Sequence, residues 1–275
     1  MERQIDPKSV DAEPDALVRG QIAHQALYKF YGGLSRELGG PERVTAGTFD
    51  TALAFMARCL DDAIESWLRF DATDLQRAEI RESLLRDLEG FLIDEAKSPV
   101  ELVPRKLEVA FGMERAAPEL QRGLQLGEGV FLSGKIDRID QDPFGARGIV
   151  QDYKSGRTAH SAVEIDREFK LQVPLYMLVL RDLVGIEPLG GVYRALSGKR
   201  ATRGMLRESA GADLPGFKPK DYLDEDAFWS QVDTARGRAF EAAERIRAGD
   251  VRHDPKGGDC PSWCDAWPVC RVERA

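Results

Sequence analysis

The first hundred residues carry apolar side chains at helical spacing. One series runs through residues 16–38 and predicts an amphipathic helix, with apolar positions at Ile22, Ala26, Leu27, Phe30, Leu34 and Leu38. Paired glycines at positions 32 and 33 predict that this helix is weak in its middle or ends early. Residues 48–70 and 73–95 show the same periodicity and predict two further helices.

The pattern changes after Pro99, where apolar runs of strand length take over. Strands are predicted for 101–111, 129–139 and 147–154, and the turn sequence DPFG at 142–145 joins the last two as a hairpin. The predicted elements that follow are a helix over 168–184 with Pro174 in its first turn, a hairpin from GGVYRAL and GMLRE, a loop over 209–224 and a helix over 225–248. This order predicts an α/β fold with a mixed central sheet flanked by helices.

Composition narrows the class of protein. The chain has 275 residues, 43% of them hydrophobic, which is enough to bury a core of its own. Its net charge of −8 argues against a protein that coats nucleic acid by counterion release, but leaves open a nucleic-acid enzyme with a local basic track. The sequence has no apolar run of membrane-spanning length and no signal peptide, so a cytoplasmic protein without membrane contact is expected.

The stretch GIVQDYKSG places charges where a buried strand should continue. Asp152 and Lys154 project from the same strand face as Val150, because side chains alternate between the two faces. Charges at a buried strand end are costly unless something binds them. Taken alone, Asp152 and Lys154 are best interpreted as a structural ion pair on a strand edge.

The neighbouring strand changes that interpretation. Antiparallel pairing about the DPFG turn places Asp137 opposite Asp152, and facing carboxylates repel unless a cation lies between them. Mg²⁺ binds one or two carboxylates and keeps several waters that a phosphate can replace. Lys154, at the same end, would hold an attacking water or the charge that develops on a phosphate. The hairpin therefore predicts a divalent-metal site for phosphate chemistry.

Three motifs, GKIDRID, QDYKSG and LQVPLY, resemble the RecB family (AddB/RecB-like) of the PD-(D/E)xK nucleases. The resemblance implies a restriction-endonuclease-like core. It also implies that Asp137 and Asp152 bind the metal, that Lys154 is the catalytic lysine, and that Gln172 and Tyr176 contact DNA and brace the lysine. This ordered set is far more specific than any one of the motifs.

Two further metal ligands are implied by the same resemblance. The segment RGQIAHQALYKF resembles the family's helix with a metal-binding histidine, which falls on His24. Glu108 resembles, less distinctively, the acid on the first strand of the core, although an exposed strand position explains it equally well. The backbone carbonyl of Tyr153 is a further expected ligand, and the expected ion is Mg²⁺ or Mn²⁺.

The cysteines are unevenly placed. Cys59 stands alone in a helical pattern, where a buried small side chain is expected. The C-terminal group resembles the family's set that, with one upstream cysteine, binds a [4Fe–4S] cluster; it comprises Cys260, Cys264 and Cys270. The first spacing is C-x₃-C where the family has C-x₂-C, and the upstream cysteine is absent. We therefore expect an excised fragment of a longer protein, whose cluster would lack one ligand.

Residues 191–222 contain more basic than acidic side chains. This excess predicts a track for DNA phosphates, although a solvated hairpin tip explains it nearly as well; the candidate DNA-binding residues are Arg194, Lys199, Arg200 and Arg203.

The expected organisation is a disordered segment over 1–15, a nuclease domain over 16–250 with a helical insertion at 39–97, and a cysteine-containing tail over 251–275. The expected function is a metal-dependent DNA nuclease, an exonuclease on single strands, with a helicase domain or subunit as partner. Three alternatives stay open: a stand-alone CRISPR-adaptation nuclease, a non-cleaving DNA-end-binding module, and a hydrolase of small phosphoesters with a closed pocket.

Overall fold

A computed structural model describes residues 16–40, 42–68 and 72–250. Helices α1 (Ala16–Glu37), α2 (Phe49–Trp67) and α3 (Asp74–Lys97) come first along the chain. Thr73 begins α3 with a capping box, since its hydroxyl accepts a hydrogen bond from the backbone of Gln76 and the Gln76 side chain accepts one from the backbone of Thr73. The helical periodicity of this region is thus realised as three helices.

Helices α1 to α3 share one apolar core. Their buried side chains pack together with Tyr153 and Leu196 from the sheet. Helix α1 runs through both glycines to Glu37, so the expected early end is wrong. A side chain at position 33 would begin 2.6 Å from the ring of Phe55, which explains why Gly33 occupies this contact between α1 and α2.

The central sheet has six strands in the order β1-β4-β5-β6-β7-β8. Their bounds are β1 (Val103–Phe111), β4 (Gly134–Gln141), β5 (Arg147–Lys154), β6 (Glu187–Ala195), β7 (Thr202–Arg207) and β8 (Tyr222–Leu223). Strands β5 and β6 are parallel, as are β7 and β8, and the other neighbours are antiparallel. The predicted α/β fold with a mixed sheet is confirmed.

The predicted strand over 129–139 is divided in the structure. Its first part is β3 (Val130–Leu132), which pairs with β2 (Leu124–Gly127) in a separate two-stranded sheet. Its second part belongs to β4, which pairs with β1 and β5. The pairing partner of the chain changes around Ser133. Strands distant in sequence determine that pairing, so the local periodicity does not predict the division. The segment predicted as loop at 209–224 also contains the short strand β8.

Helices cover the face of the sheet that carries Ile139 and Val150. They are α4 (Ala162–Arg167), α5 (Gln172–Val179), which continues as a π-helical turn over Leu180–Val184, and α6 (Glu225–Arg247). Helix α5 begins at Gln172 rather than at 168, and Pro174 occupies its first turn, where no backbone donor is needed. Within the described ranges, no helix is both long and apolar enough to cross a bilayer.

The opposite face of β4, β5 and β6 carries a buried ion network, which comprises Glu95, Arg138, Asp140, Gln151 and Arg194. Arg138 donates to Glu95 over 2.9 Å and to Asp140 over 2.6 Å. Arg194 pairs with Glu95, and Gln151 donates to Asp140. Each charged group thus has an opposite charge within hydrogen-bonding distance, as buried ions require. The network joins helix α3 to the sheet.

Candidate active site

A row of carboxylates crosses three adjacent strands. The β4–β5 register pairs Arg138 with Gln151 and, one step further, aligns Asp137 with Asp152. The β1–β4 register aligns Glu108 with Asp137 in the same way. The register predicted from the DPFG turn is therefore confirmed, and the row continues onto a strand that the turn does not reach.

Glu108 has an unusual backbone conformation. Its φ of 50° lies in the left-handed region, which a non-glycine residue in a strand rarely adopts. Such strain costs on the order of 1 to 3 kcal/mol and persists only where the surroundings impose it. The Glu108 carboxylate forms an ion pair with the ammonium of Lys135, which precedes Asp137 by two positions in β4. Sequence reasoning had not singled out Lys135.

Helix α1 brings His24 to the row. Its Nδ1 lies 3.3 Å from Oδ1 of Asp137, and its Nε2 lies 3.1 Å from the carbonyl oxygen of Tyr153. The other oxygen of Asp137 accepts a hydrogen bond from the Tyr153 backbone N–H over 2.9 Å. Burial lowers the pKa of His24, but these partners outweigh burial and the net shift is upward. Possible ligand atoms of His24, Glu108 and Asp137 all lie within 4.8 Å of one another.

Asp152 is a buried carboxylate with one unsatisfied oxygen. Its side chain is 3% exposed, and Oδ2 accepts no hydrogen bond. The Lys154 ammonium lies 2.5 Å from that oxygen, but the approach does not have hydrogen-bond geometry. Burial raises the pKa of Asp152 to about 6; Lys154 opposes this shift and Asp137 adds to it. A buried acid beside two others and a histidine offers oxygen and nitrogen ligands that a divalent cation can bind.

Lys154 is held by a chain of polar contacts. Its ammonium donates to Oε1 of Gln172 over 2.8 Å, and the Gln172 amide donates to the hydroxyl of Tyr176 over 3.1 Å. Lys154 also lies 5.3 Å from the ring centroid of Tyr193, a cation–π distance. Tyr193 aligns with Asp152 across the parallel β5–β6 pair and was missed by sequence reasoning. Tyr176 is buried, so it supports Gln172 rather than facing solvent.

These side chains line one open cleft of about 800 Å³ between helix α1 and the sheet. The cleft brings together the residues that the motifs selected, except Tyr176, which does not line it; they are His24, Glu108, Asp137, Asp152, Tyr153, Lys154 and Gln172. It also contains Arg115 and Lys135. The arrangement can bind a cation against the acids and present an ammonium group beside it.

The structure does not gather the predicted basic track at this cleft. Arg194 belongs to the buried ion network, where its guanidinium pairs with Glu95, because the side chain points to the opposite face of the sheet. Two more of the four candidates are engaged in ion pairs: Arg200 with Asp94, and Arg203 with Asp221. Lys199 is exposed at the hairpin tip. Burial of Arg194 therefore overturns its placement on an exposed track.

The cysteines do not contribute to the cleft in the described part of the chain. Cys59 is buried in α2, where burial raises the pKa of its thiol to about 11 and keeps it protonated. The expected iron–sulfur ligands Cys260, Cys264 and Cys270 lie outside the described residues.

The fold and this donor set define the class of protein. The family model described as the PD-(D/E)XK nuclease superfamily matches residues 2–271, nearly the whole chain. The chain belongs to that superfamily, and the assignment made from the sequence motifs is confirmed.

The curated relatives are large proteins. Over 222 residues the chain is 31% identical to a subunit of the ATP-dependent helicase/deoxyribonuclease of Moorella thermoacetica, covering 77% of this chain and 18% of that protein. It is 23% identical over 228 residues to the corresponding subunit from Alkaliphilus metalliredigens, covering 64% of this chain and 20% of that protein. The chain thus spans about one fifth of the length of these relatives.

Proposed function

We propose that this chain is a metal-dependent deoxyribonuclease module that hydrolyses phosphodiester bonds in DNA. The observation that supports it best is the row of carboxylates with an unsatisfied Asp152 oxygen, beside an ammonium held by Gln172. The proposed ligands of Mg²⁺ or Mn²⁺ are His24, Glu108, Asp137 and Asp152, with the carbonyl oxygen of Tyr153.

The chain's own residues supply the rest of the chemistry. A divalent cation at such a site contributes Lewis acidity and lowers the pKa of water. Lys154 then stabilises negative charge on the phosphate and orients the attacking water, because Gln172 and Tyr193 hold its ammonium in one place. Lys135 and Lys154 now pair with Glu108 and Asp152. A cation bound by these acids would compete with both lysines for them, and would leave each amine free to contact a phosphate.

The finer assignments rest on the relatives and on the shape of the cleft. The relatives' names couple an ATP-dependent helicase with a deoxyribonuclease, which supports a helicase partner and a DNA substrate. Because a helicase would deliver separated strands, we propose exonucleolytic action on single-stranded DNA. An open cleft suits a polymer better than a small phosphoester, for which a closed pocket would be expected. The same proposal assigns residues 16–250 to the nuclease domain and 39–97 to its helical insertion.

The decisive experiment compares DNA cleavage by the wild type and by Lys154→Met. End-labelled single-stranded and duplex DNA are incubated with Mn²⁺, and we expect the variant to lose about 10²- to 10³-fold in rate. Mn²⁺ affinity, measured by titration calorimetry, should persist in Lys154→Met and be lost in Asp152→Asn. Lys220→Met, an exposed lysine away from the cleft, is the control. Metal-dependent cleavage that survives Lys154→Met contradicts the proposed role of the lysine.

A further inference from the structure

The cleft has two exposed aromatic side chains that the proposed chemistry does not use. Tyr28 on α1 is 49% exposed and Trp67 at the end of α2 is 44% exposed, and both line the cleft. In the described parts of the chain, neither makes a hydrogen bond or a ring contact. Single exposed aromatics are common on protein surfaces, but two that line the same cleft form an apolar patch of the kind that marks a ligand-binding groove.

The helices place both aromatics next to the carboxylate row. Tyr28 follows His24 by four residues, one helical turn and about 6 Å along α1. Helix α2 runs antiparallel to α1, since Lys29 donates to Asp62 over 3.3 Å while Glu37, further along α1, pairs with Arg58, which lies earlier in α2. Five residues further along α2, and about 7.5 Å by the helical rise, Trp67 therefore lies near the level of His24. The helical wall of the cleft thus presents two rings beside the proposed metal ligands.

The charges that line the cleft do not favour DNA by themselves. Acids and bases are present in equal number, with Glu108, Asp137 and Asp152 against Arg115, Lys135 and Lys154. The whole chain carries a net charge of −8. Because binding by phosphate contacts depends on releasing counterions to an excess of basic residues, this surface gains little affinity in that way. Recognition of a strand here must draw on the bases.

We infer that Tyr28 and Trp67 form a stacking subsite for unpaired bases, which selects single-stranded over duplex DNA at this cleft. The inference rests on the proposed nuclease function and adds the residues that recognise the single strand. Stacking on a side chain needs a base whose face is free, and in a duplex both faces are covered by neighbouring base pairs. With its bases against the helical wall, a strand has its phosphates toward the acids and lysines of the sheet.

Anisotropy of a labelled oligonucleotide tests the subsite with the whole chain in EDTA, which withholds divalent ions and prevents cleavage. The probes are a single strand, the same strand with abasic positions, and its duplex. We expect the double variant Tyr28→Ala, Trp67→Ala to bind the single strand about 5- to 100-fold more weakly. Binding to the abasic strand and to the duplex should change little, because neither offers a free base.

Matched variants separate stacking from folding. Tyr28→Phe and Trp67→Phe keep a ring and should retain most of the affinity. Phe144→Ala removes a 92% exposed aromatic from the β4–β5 turn, outside the cleft, and should bind like the wild type. Circular dichroism verifies that each variant keeps its helices. Equal affinity of the wild type for normal and abasic strands, or undiminished binding by the double alanine variant, overturns the inference.

The outcome is distinguishable from failure of the proposed function. If Mn²⁺ supports cleavage of the labelled single strand but binding shows no dependence on bases, the stacking subsite is refuted and the nuclease stands. If binding depends on bases and on the two rings but no ion supports cleavage, the subsite stands and the nuclease proposal fails.

Discussion

Two polar clusters lie back to back on the same strands, and they differ in how deeply both partners of each ion pair are buried. Asp137 and Asp152 face the cleft, while their chain neighbours Arg138 and Gln151 face the buried ion network. In the network each charged group meets an opposite charge, and one donor, Nε of Arg194, lacks a partner. On the cleft side, the acids Glu108 and Asp152 pair with lysines that are partly exposed, Lys135 at 41% and Lys154 at 37%.

The contrast separates a structural role from a binding role. Buried ions that are fully paired stabilise only weakly relative to apolar side chains but are very costly to disrupt. A buried acid whose charged partner is partly exposed can exchange that partner for a ligand, and acids with a shifted pKa cluster at binding sites. Changes on the network side should therefore reduce stability, whereas changes on the cleft side should reduce activity and leave stability intact or improved.

The largest effect is expected on the network side. Arg138→Met leaves Glu95 and Asp140 buried with a partner missing and should lower the free energy of unfolding by about 3 to 5 kcal/mol. Urea denaturation measures the loss. Arg86→Met removes an exposed ion pair with Glu82 and is the control, with stability almost unchanged. If both arginine variants unfold alike, the network has no special structural role.

The second prediction concerns how Asp152 makes the stability of the fold depend on pH. The folded-state pKa of Asp152, about 6, lies above its unfolded value of about 4. Between these two pH values the folded state therefore binds more protons than the unfolded state. Stability should therefore fall as pH rises from about 4 to 6, and Asp152→Asn should remove that slope. The measurement is urea denaturation in EDTA at several pH values, with the exposed Asp233→Asn as control.

Glu95 should behave in the opposite way. Burial disfavours its charge, but Arg138 and Arg194 outweigh burial and hold the pKa of Glu95 well below its ordinary range. Its contribution is present above the unfolded pKa of about 4.3 and is lost as pH falls toward the folded value. Glu95→Gln should therefore weaken the acid-side loss of stability. Slopes of the same sign for Glu95 and Asp152 would contradict the opposite pKa shifts assigned to these two acids.

The smallest effect tests whether the clusters are coupled through Tyr153. Its backbone contacts His24 and Asp137 on the cleft side, while its hydroxyl accepts a hydrogen bond from Arg138 over 3.4 Å. Tyr153→Phe removes only that bond and should cost about 1 kcal/mol of stability. The DNA cleavage rate should stay within about twofold of the wild type, because the backbone contacts remain. A large loss of activity would show that the network positions the catalytic strand.

Local signals made the centre of this site predictable. The DPFG turn determines the β4–β5 register, and alternation along each strand then places Asp137, Asp152 and Lys154 on one face. The same alternation could have found Lys135, which lies two positions from Asp137 in β4. Its ion pair with Glu108 also needs the β1–β4 pairing and the left-handed backbone of Glu108, neither of which has a local sequence signal.

The features that could not be predicted from the sequence depend on contacts between residues far apart in the chain. Arg194 resembles a surface cation within its own segment, yet its partner Glu95 is 99 residues away in α3. Tyr193 reaches Lys154 only through the parallel pairing of β5 with β6, which a helical crossover separates along the chain. The split between β3 and β4 likewise follows from the partners that each strand finds. Pairing over such distances is decided by the assembled core rather than by any single segment.

The separation of His24 from the other site residues along the chain has a consequence for synthesis in the cell. The ribosome makes this residue more than a hundred positions before Asp137, and the brace for Lys154 arrives later still with Gln172. The proposed catalytic site is therefore complete only after helix α1 has packed against strands that are synthesised much later. A nascent chain that stalls before that point would lack the proposed site and could not cleave DNA.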